Sequence, residues 1–128
     1  MKKQIEWIIL TTKNYLIAKE FYSKKLNLKI IRNVPKEEFT QFKMDNCYLA
    51  IYGEGFVKKL LNKTRLGEPG NTIFTFSQSE DIDADFQKLL LQGVKFIQPP
   101  KTQTWGQRTA YFEDPDGNIW EIQQWISK

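Results

Sequence analysis

Twice along this chain of 128 residues a β-rich run leads into one helical segment and then into three more strand-like runs. No other feature restricts the fold as much. Each copy spans roughly 55 residues, and a unit of that size with one helix for several strands is too small to close a core alone. The two copies are therefore expected to pack together as one domain over residues 1–128, in the α+β class, as paired βαβββ modules.

In the first copy, residues 4–11 (QIEWIILT) are β-rich and run into Thr-Thr-Lys-Asn, a helix start. The helix that follows places Ile17, Ala18, Phe21 and Tyr22 on one apolar face, opposite Lys19, Glu20 and Lys24. Three strand candidates come next, LKIIRNV, FTQFKM and CYLAIYG, with turn chemistry in PKEE and at Asp45-Asn46. Residues 1–54 thus form the first module. Residues 55–70 are read as a connector, glycine-rich around an apolar-basic run, FVKKLL, that makes one or two helical turns.

The order repeats over residues 71–128: strand NTIFTFS, helix DIDADFQKLLLQ, strand VKFIQP, strand RTAYFE, turn DPDG and strand NIWEIQQW. Asp81 is the expected N-cap of the helix and Gly93 its C′ residue, with Ile82, Phe86, Leu89 and Leu90 on the buried face. The repeat lies in element order, not in residue identity.

Composition narrows the function classes. The net charge of +4 comes from lysines interleaved with Asp and Glu along the whole chain, the pattern of a solvated surface and not of a nucleic-acid-binding stripe. The apolar stretch IEWIIL contains Glu6 and is far too short for a membrane span or a signal-peptide core, so a cytoplasmic protein is expected. The single cysteine, Cys47, rules out an intrachain disulfide and reads as a buried strand residue.

The strongest local signal is the run from Tyr111 to Glu121, YFEDPDGNIWE. Pro115 fixes φ, Asp and Asn close side-chain turns, and Gly117 supplies positive φ, which makes a hairpin between two apolar strands. A calcium loop starting at Asp114 fails, because its twelfth position, which needs a bidentate Glu, is Trp125.

With Gln103-Thr104-Trp105-Gly106-Gln107-Arg108 ahead of it, this hairpin resembles the ending of the glyoxalase / bleomycin-resistance / extradiol dioxygenase (vicinal oxygen chelate) superfamily: a W-G-x-R turn, an aromatic pair, D-P-D-G-N and a Glu. Phe21-Tyr22 followed by Leu26-Asn27-Leu28 is similar to the family's helix exit, with Asn27 where Gly is common, a mild change because Asn tolerates αL. The resemblance covers nearly the whole chain. It implies paired βαβββ modules whose curled mixed sheet forms a cleft, with a divalent metal held in enzymatic members by His, Glu or Gln on four strands.

The matching positions are Trp7, about Ala50, about Thr72 and Glu121, and the chain has no histidine. Of these only Glu121 is a residue type able to bind a metal, where a catalytic site needs three ligands. No metal and no cofactor are therefore expected, and the family's metal-dependent activities are disfavoured. Serine and cysteine triads fail for the same lack of histidine. What remains resembles the metal-free bleomycin-resistance proteins, which sequester a planar drug between aromatic rings at a dimer interface.

On that reading the chain is a homodimer that holds a planar or hydrophobic small molecule in an aromatic-lined cleft. The candidate ligand-binding residues are Trp7, Phe39, Tyr48, Phe74, Trp105, Arg108 and Glu121. Trp7 is implied to point into the former metal cavity, and Arg108 is the nearest sequence candidate to pair with a desolvated Glu121. Two rivals are a lyase-like or otherwise catalytic member using Glu121 as acid or base, and an interaction domain whose cleft is plugged by Trp7.

Overall fold

In the computed structural model residues 1–126 are described. They form two compact units, Met1–Gly67 and a second that begins at Glu68, each a four-stranded mixed sheet with helix packed on one face.

The first unit runs β1 (Trp7–Thr12), α1 (Tyr15–Glu20), β2 (Ile30–Val34), β3 (Phe39–Lys43), β4 (Tyr48–Gly53) and α2 (Glu54–Leu61). The strand order is β1-β4-β3-β2, with β1 parallel to β4 and the other pairs antiparallel. Asn14 caps α1, its side chain accepting from the Ile17 N–H at 3.2 Å. The helix continues into a π-helical turn, Phe21–Lys25. The wider turn lets two consecutive aromatics, Phe21 and Tyr22, both face the sheet alongside Tyr15 and Ala18. Ile17, expected on this face, is instead 52% exposed, and Tyr15 takes its place. Buried Tyr15 satisfies its hydroxyl on Thr40 Oγ1 (2.6 Å) and Asn33 Oδ1 (2.9 Å). Asn27 adopts φ 56°, the left-handed exit its side chain tolerates.

The second unit repeats the plan with β5 (Ile73–Thr75), α3 (Ile82–Leu91), β6 (Phe96–Thr102), β7 (Gln107–Glu113) and β8 (Ile119–Trp125), in the order β5-β8-β7-β6 with β5 parallel to β8. Asp81 caps α3 by accepting from the Ala84 N–H at 3.1 Å, and Gly93 follows the helix at φ 90°. Ile82, Val94, Ala110, Phe112, Trp120 and Ile122 form the core. The ring of Trp120 sits between Phe74 (5.1 Å) and Phe76 (5.0 Å). Truncating a ring such as Phe112, which is fully buried, costs about 3–5 kcal/mol.

Two expectations about boundaries change. The connector is not a linker in its first half: α2 starts at Glu54, buries Val57, and belongs to the first unit, which extends to Gly67. Cys47 is not a buried strand residue; it lies one position ahead of β4 and is half-buried.

Candidate functional site

Strand pairing sorts the first sheet into two chemically different faces. Leu10, Leu49, Ile51, Thr40 and Phe42 lie toward α1, where the Tyr22 and Phe42 rings are 5.8 Å apart. The other face carries Trp7 beside Tyr48, Ile9 beside Ala50, and Tyr52 beside Phe39. There the rings form a continuous series: Trp7–Tyr48 at 5.1 Å, Trp7–Phe39 at 6.5 Å, Phe39–Tyr52 edge-on at 5.4 Å and Tyr52–Phe56 stacked at 6.3 Å. Trp7 and Tyr48 keep 36% and 40% of their surface exposed. An open depression of about 540 Å³ lies at this end of the sheet, lined by Tyr48 with Glu6, Ile31, Lys43, Asp45 and Cys47 among others. Such a face offers π surfaces and apolar area, which suits flat ligands.

Three expected residues, Trp7, Phe39 and Tyr48, thus share one face. Tyr52 and Phe56 were missed. Period-two alternation from Tyr48 through Ala50 to Tyr52 was the available signal for the first of them.

The second sheet presents a polar face. Tyr111 stands directly opposite Glu121, and Thr75 beside it on β5. Thr75 Oγ1 donates to Glu121 Oε1 at 2.6 Å. Burial pushes the Tyr111 phenol above its ordinary range and the Glu121 carboxylate pushes it the same way, while a hydrogen bond from Thr109 opposes them. Further along, Trp105 Nε1 donates to Gln107 Oε1 (2.9 Å), Gln107 Nε2 to Gln123 Oε1 (3.1 Å) and Gln123 Nε2 to the Phe76 carbonyl (3.3 Å). This amide chain fixes the 55% exposed Trp105 indole against the sheet.

Phe74 and Arg108 are not part of that face. The register puts both on the α3 side, one residue out of phase with Thr75 and with Gln107 and Thr109. Phe74 packs on Trp120. The expected Arg108–Glu121 pair is replaced by a two-pronged one to Asp83 on α3, Nη2 to Oδ1 at 2.8 Å and Nε to Oδ2 at 3.1 Å. Arg108 holds the Asp83 carboxyl below its usual range, chiefly through these hydrogen bonds.

At the positions where the resemblance implies metal ligands, Trp7 and Ala50 carry no donor suited to a cation. Thr72 precedes β5, and the strand residue beside Glu121 is Thr75. Among the described residues no three His, Cys, Asp or Glu side chains come together. These residues do not fit a three-ligand transition-metal site.

Compared with known proteins, residues 4–122 match the profile of the Glyoxalase/Bleomycin resistance protein/Dioxygenase superfamily. The chain belongs to this superfamily. An uncharacterized protein of Shewanella frigidimarina is 30% identical over 134 residues, covering 97% of this chain and 95% of that one. A glyoxalase/bleomycin resistance protein/dioxygenase from Nocardioides superimposes with a TM-score of 0.84 at 26% identity, over 99% of this chain and 86% of its own. A lactoylglutathione lyase from Agrobacterium tumefaciens has the same fold, with a TM-score of 0.77 at 16% identity over 96% of this chain and 94% of its own. Members of this fold superfamily differ in chemistry, so the activity rests on the site residues. No helix among the described residues is long and apolar enough to cross a membrane.

Proposed function

We propose that this superfamily member is a metal-independent small-molecule binding protein that takes a planar or hydrophobic ligand against the aromatic face of its first sheet. The observation that carries this reading is the run of rings from Trp7 and Tyr48 through Phe39 to Tyr52, with Trp7 and Tyr48 open to solvent and a depression at Tyr48. Stacking on such rings contributes about 0.5–1.5 kcal/mol per ring beyond the area buried. Metal independence is supported by Trp7, Ala50 and Thr75, none of which offers the soft or imidazole donors a transition metal selects. Resemblance to the bleomycin-resistance proteins further supports a cytoplasmic homodimer, to be tested by light scattering on the purified protein.

A thermal-shift screen of planar aromatic compounds against Zn²⁺, Ni²⁺ and Mn²⁺ tests the reading, because a ligand that binds only the folded state raises the transition temperature. Planar compounds should raise it and the metals should not. Stabilisation by metals alone, or a stoichiometric transition metal in the purified protein, would overturn the reading.

A further inference from the structure

In the middle of the aromatic face of the first sheet stands a polar side chain with no partner in the protein. Strand register sets Ile9, Ala50, Gln41 and Arg32 in one row across the sheet, with Phe39 and Lys43 on either side of Gln41 along β3. Gln41 keeps only 9% of its surface exposed, and its side-chain amide makes no hydrogen bond among the described residues. No buried side-chain N or O atom among these residues is both sealed from solvent and unpartnered, so Oε1 and Nε2 of Gln41 reach the open surface of the face. A ligand group that meets them gains hydrogen bonds that the protein itself does not supply. Gln41 is also the diagonal neighbour of Tyr48 and of Tyr52 across the β3–β4 pair, roughly 7–8 Å from each, within reach of a planar compound stacked on either ring.

The charge beside Gln41 is positive. Arg32, its pairing partner on the edge strand β2, is exposed. The next residue, Asn33, accepts from the Tyr15 hydroxyl on the α1 side, so alternation turns Arg32 to the ring-bearing face. Neither Arg32 nor Lys43 forms an ion pair among the described residues, and no Asp or Glu stands at a strand position of this face. Glu6 and Asp45 line the depression together with Lys43 at the Tyr48 end, which leaves Arg32 as the cation that completes the row with Gln41. A guanidinium presents paired N–H donors in the plane that a carboxylate matches.

We propose that the ligand of this face is a planar aromatic acid, whose ring system lies on the exposed aromatic side chains and whose carboxylate accepts from Gln41 Nε2 and the Arg32 guanidinium. The proposal rests on the reading of the aromatic face as the ligand site and adds to it the sign of the ligand's charge. The net charge of +4 acts in the same direction on encounter.

The test titrates naphthalene-2-carboxylate and its neutral isostere naphthalene-2-carboxamide into the intact protein at pH 7, with dissociation constants and shift maps from NMR. The carboxylate should bind about tenfold more tightly, the difference between hydrogen bonds to a charged and to a neutral group. It should move the Gln41 side-chain NH2 signal together with the backbone amides of Trp7 and Tyr48. Arg32→Gln should bring the ratio close to one, and Gln41→Met should weaken both compounds several-fold. Equal binding of the two compounds with shifts on this face, or a ratio unchanged in Arg32→Gln, overturns the acid assignment and leaves the aromatic-face reading standing. Shifts absent from Trp7, Tyr48 and Gln41 with both compounds overturn the two together. If Gln41→Met does not fold, the wild-type NH2 signal decides: a signal unmoved by the bound carboxylate refutes the role of Gln41.

Discussion

Replacing Asp114 with Ala tests whether the turn ahead of β8 sets the register that places Glu121. The Asp114 side chain is 5% exposed. Its Oδ1 accepts from the backbone N–H groups of Asp116 (2.9 Å) and Asn118 (2.8 Å), and its Oδ2 accepts from Asn118 Nδ2 (2.8 Å). A hydrogen bond to a charged acceptor contributes about 1.5–3 kcal/mol. Asp116 and Asn118 are half-buried, so water replaces part of what is lost, and Asp114→Ala should cost about 2–4 kcal/mol in all. Asp114→Asn keeps an acceptor for the two backbone donors but sets one amide N–H against another at Asn118, so about half that loss is expected. Urea unfolding followed by tryptophan fluorescence reads both variants, since Trp120 on β8 is 2% exposed. A loss below about 0.5 kcal/mol for Ala, or equal losses for Ala and Asn, would refute the reasoning. The wider consequence concerns Glu121 itself: a one-residue slip of β8 against β7 would turn it onto the α3 side.

Trp7→Ala should weaken binding of a planar ligand about two- to twelvefold, the equivalent of one lost stacking contact, as measured by isothermal titration of a compound identified in the thermal-shift screen. An unchanged affinity would remove Trp7 from the site. The Asp83–Arg108 pair should contribute stability above the unfolded-state Asp pKa and lose it as pH falls through the lower folded-state value. Asp83 is 59% exposed on its side chain, so the contribution is about 0.2–1 kcal/mol; Asp83→Asn should flatten the acid limb of stability against pH by no more than that. Ionisation of Tyr111, followed by ultraviolet difference absorbance against Tyr111→Phe, should lie above the ordinary range. Its raised pKa makes a contribution that is complete below the unfolded-state Tyr value and lost as pH rises through the folded one. Glu121→Gln should lower that pKa without restoring it fully, because burial is the larger cause.

Local chemistry was legible in the sequence and long-range register was not. The Asp114–Asn118 turn and the Asp81 cap follow from side chains acting within four residues of themselves, and the left-handed Asn27 and Gly93 from what their own residue type tolerates. The phase of α1 did not follow, because the π-helical turn at Phe21–Lys25 shifts which residues face the sheet, and Ile17 loses to Tyr15. Phe74 and Arg108 were misplaced for a related reason. Alternation says which residues of a strand share a face, but only pairing with β8 says which face that is. Tyr111, within the motif that carried the resemblance, was placed opposite Glu121 only when β7 was set against β8. Tyr52 was within reach of alternation along β4, whereas Phe56 sits on a helix that composition alone presented as a connector.

The two sheets share a topology and divide the chemistry. On the first, pairing brings together residues whose common property is a π face; on the second, it brings together hydroxyls, amides and one carboxylate. This division explains why adding one ligand would not make a metal site. Trp7→His would supply one imidazole on the first sheet, while Ala50 on the same face still contributes no donor. One protein ligand falls short of the three that catalytic zinc sites use. The same substitution would remove the indole that joins Tyr48 to Phe39. A metal centre on this face therefore needs several coordinated changes.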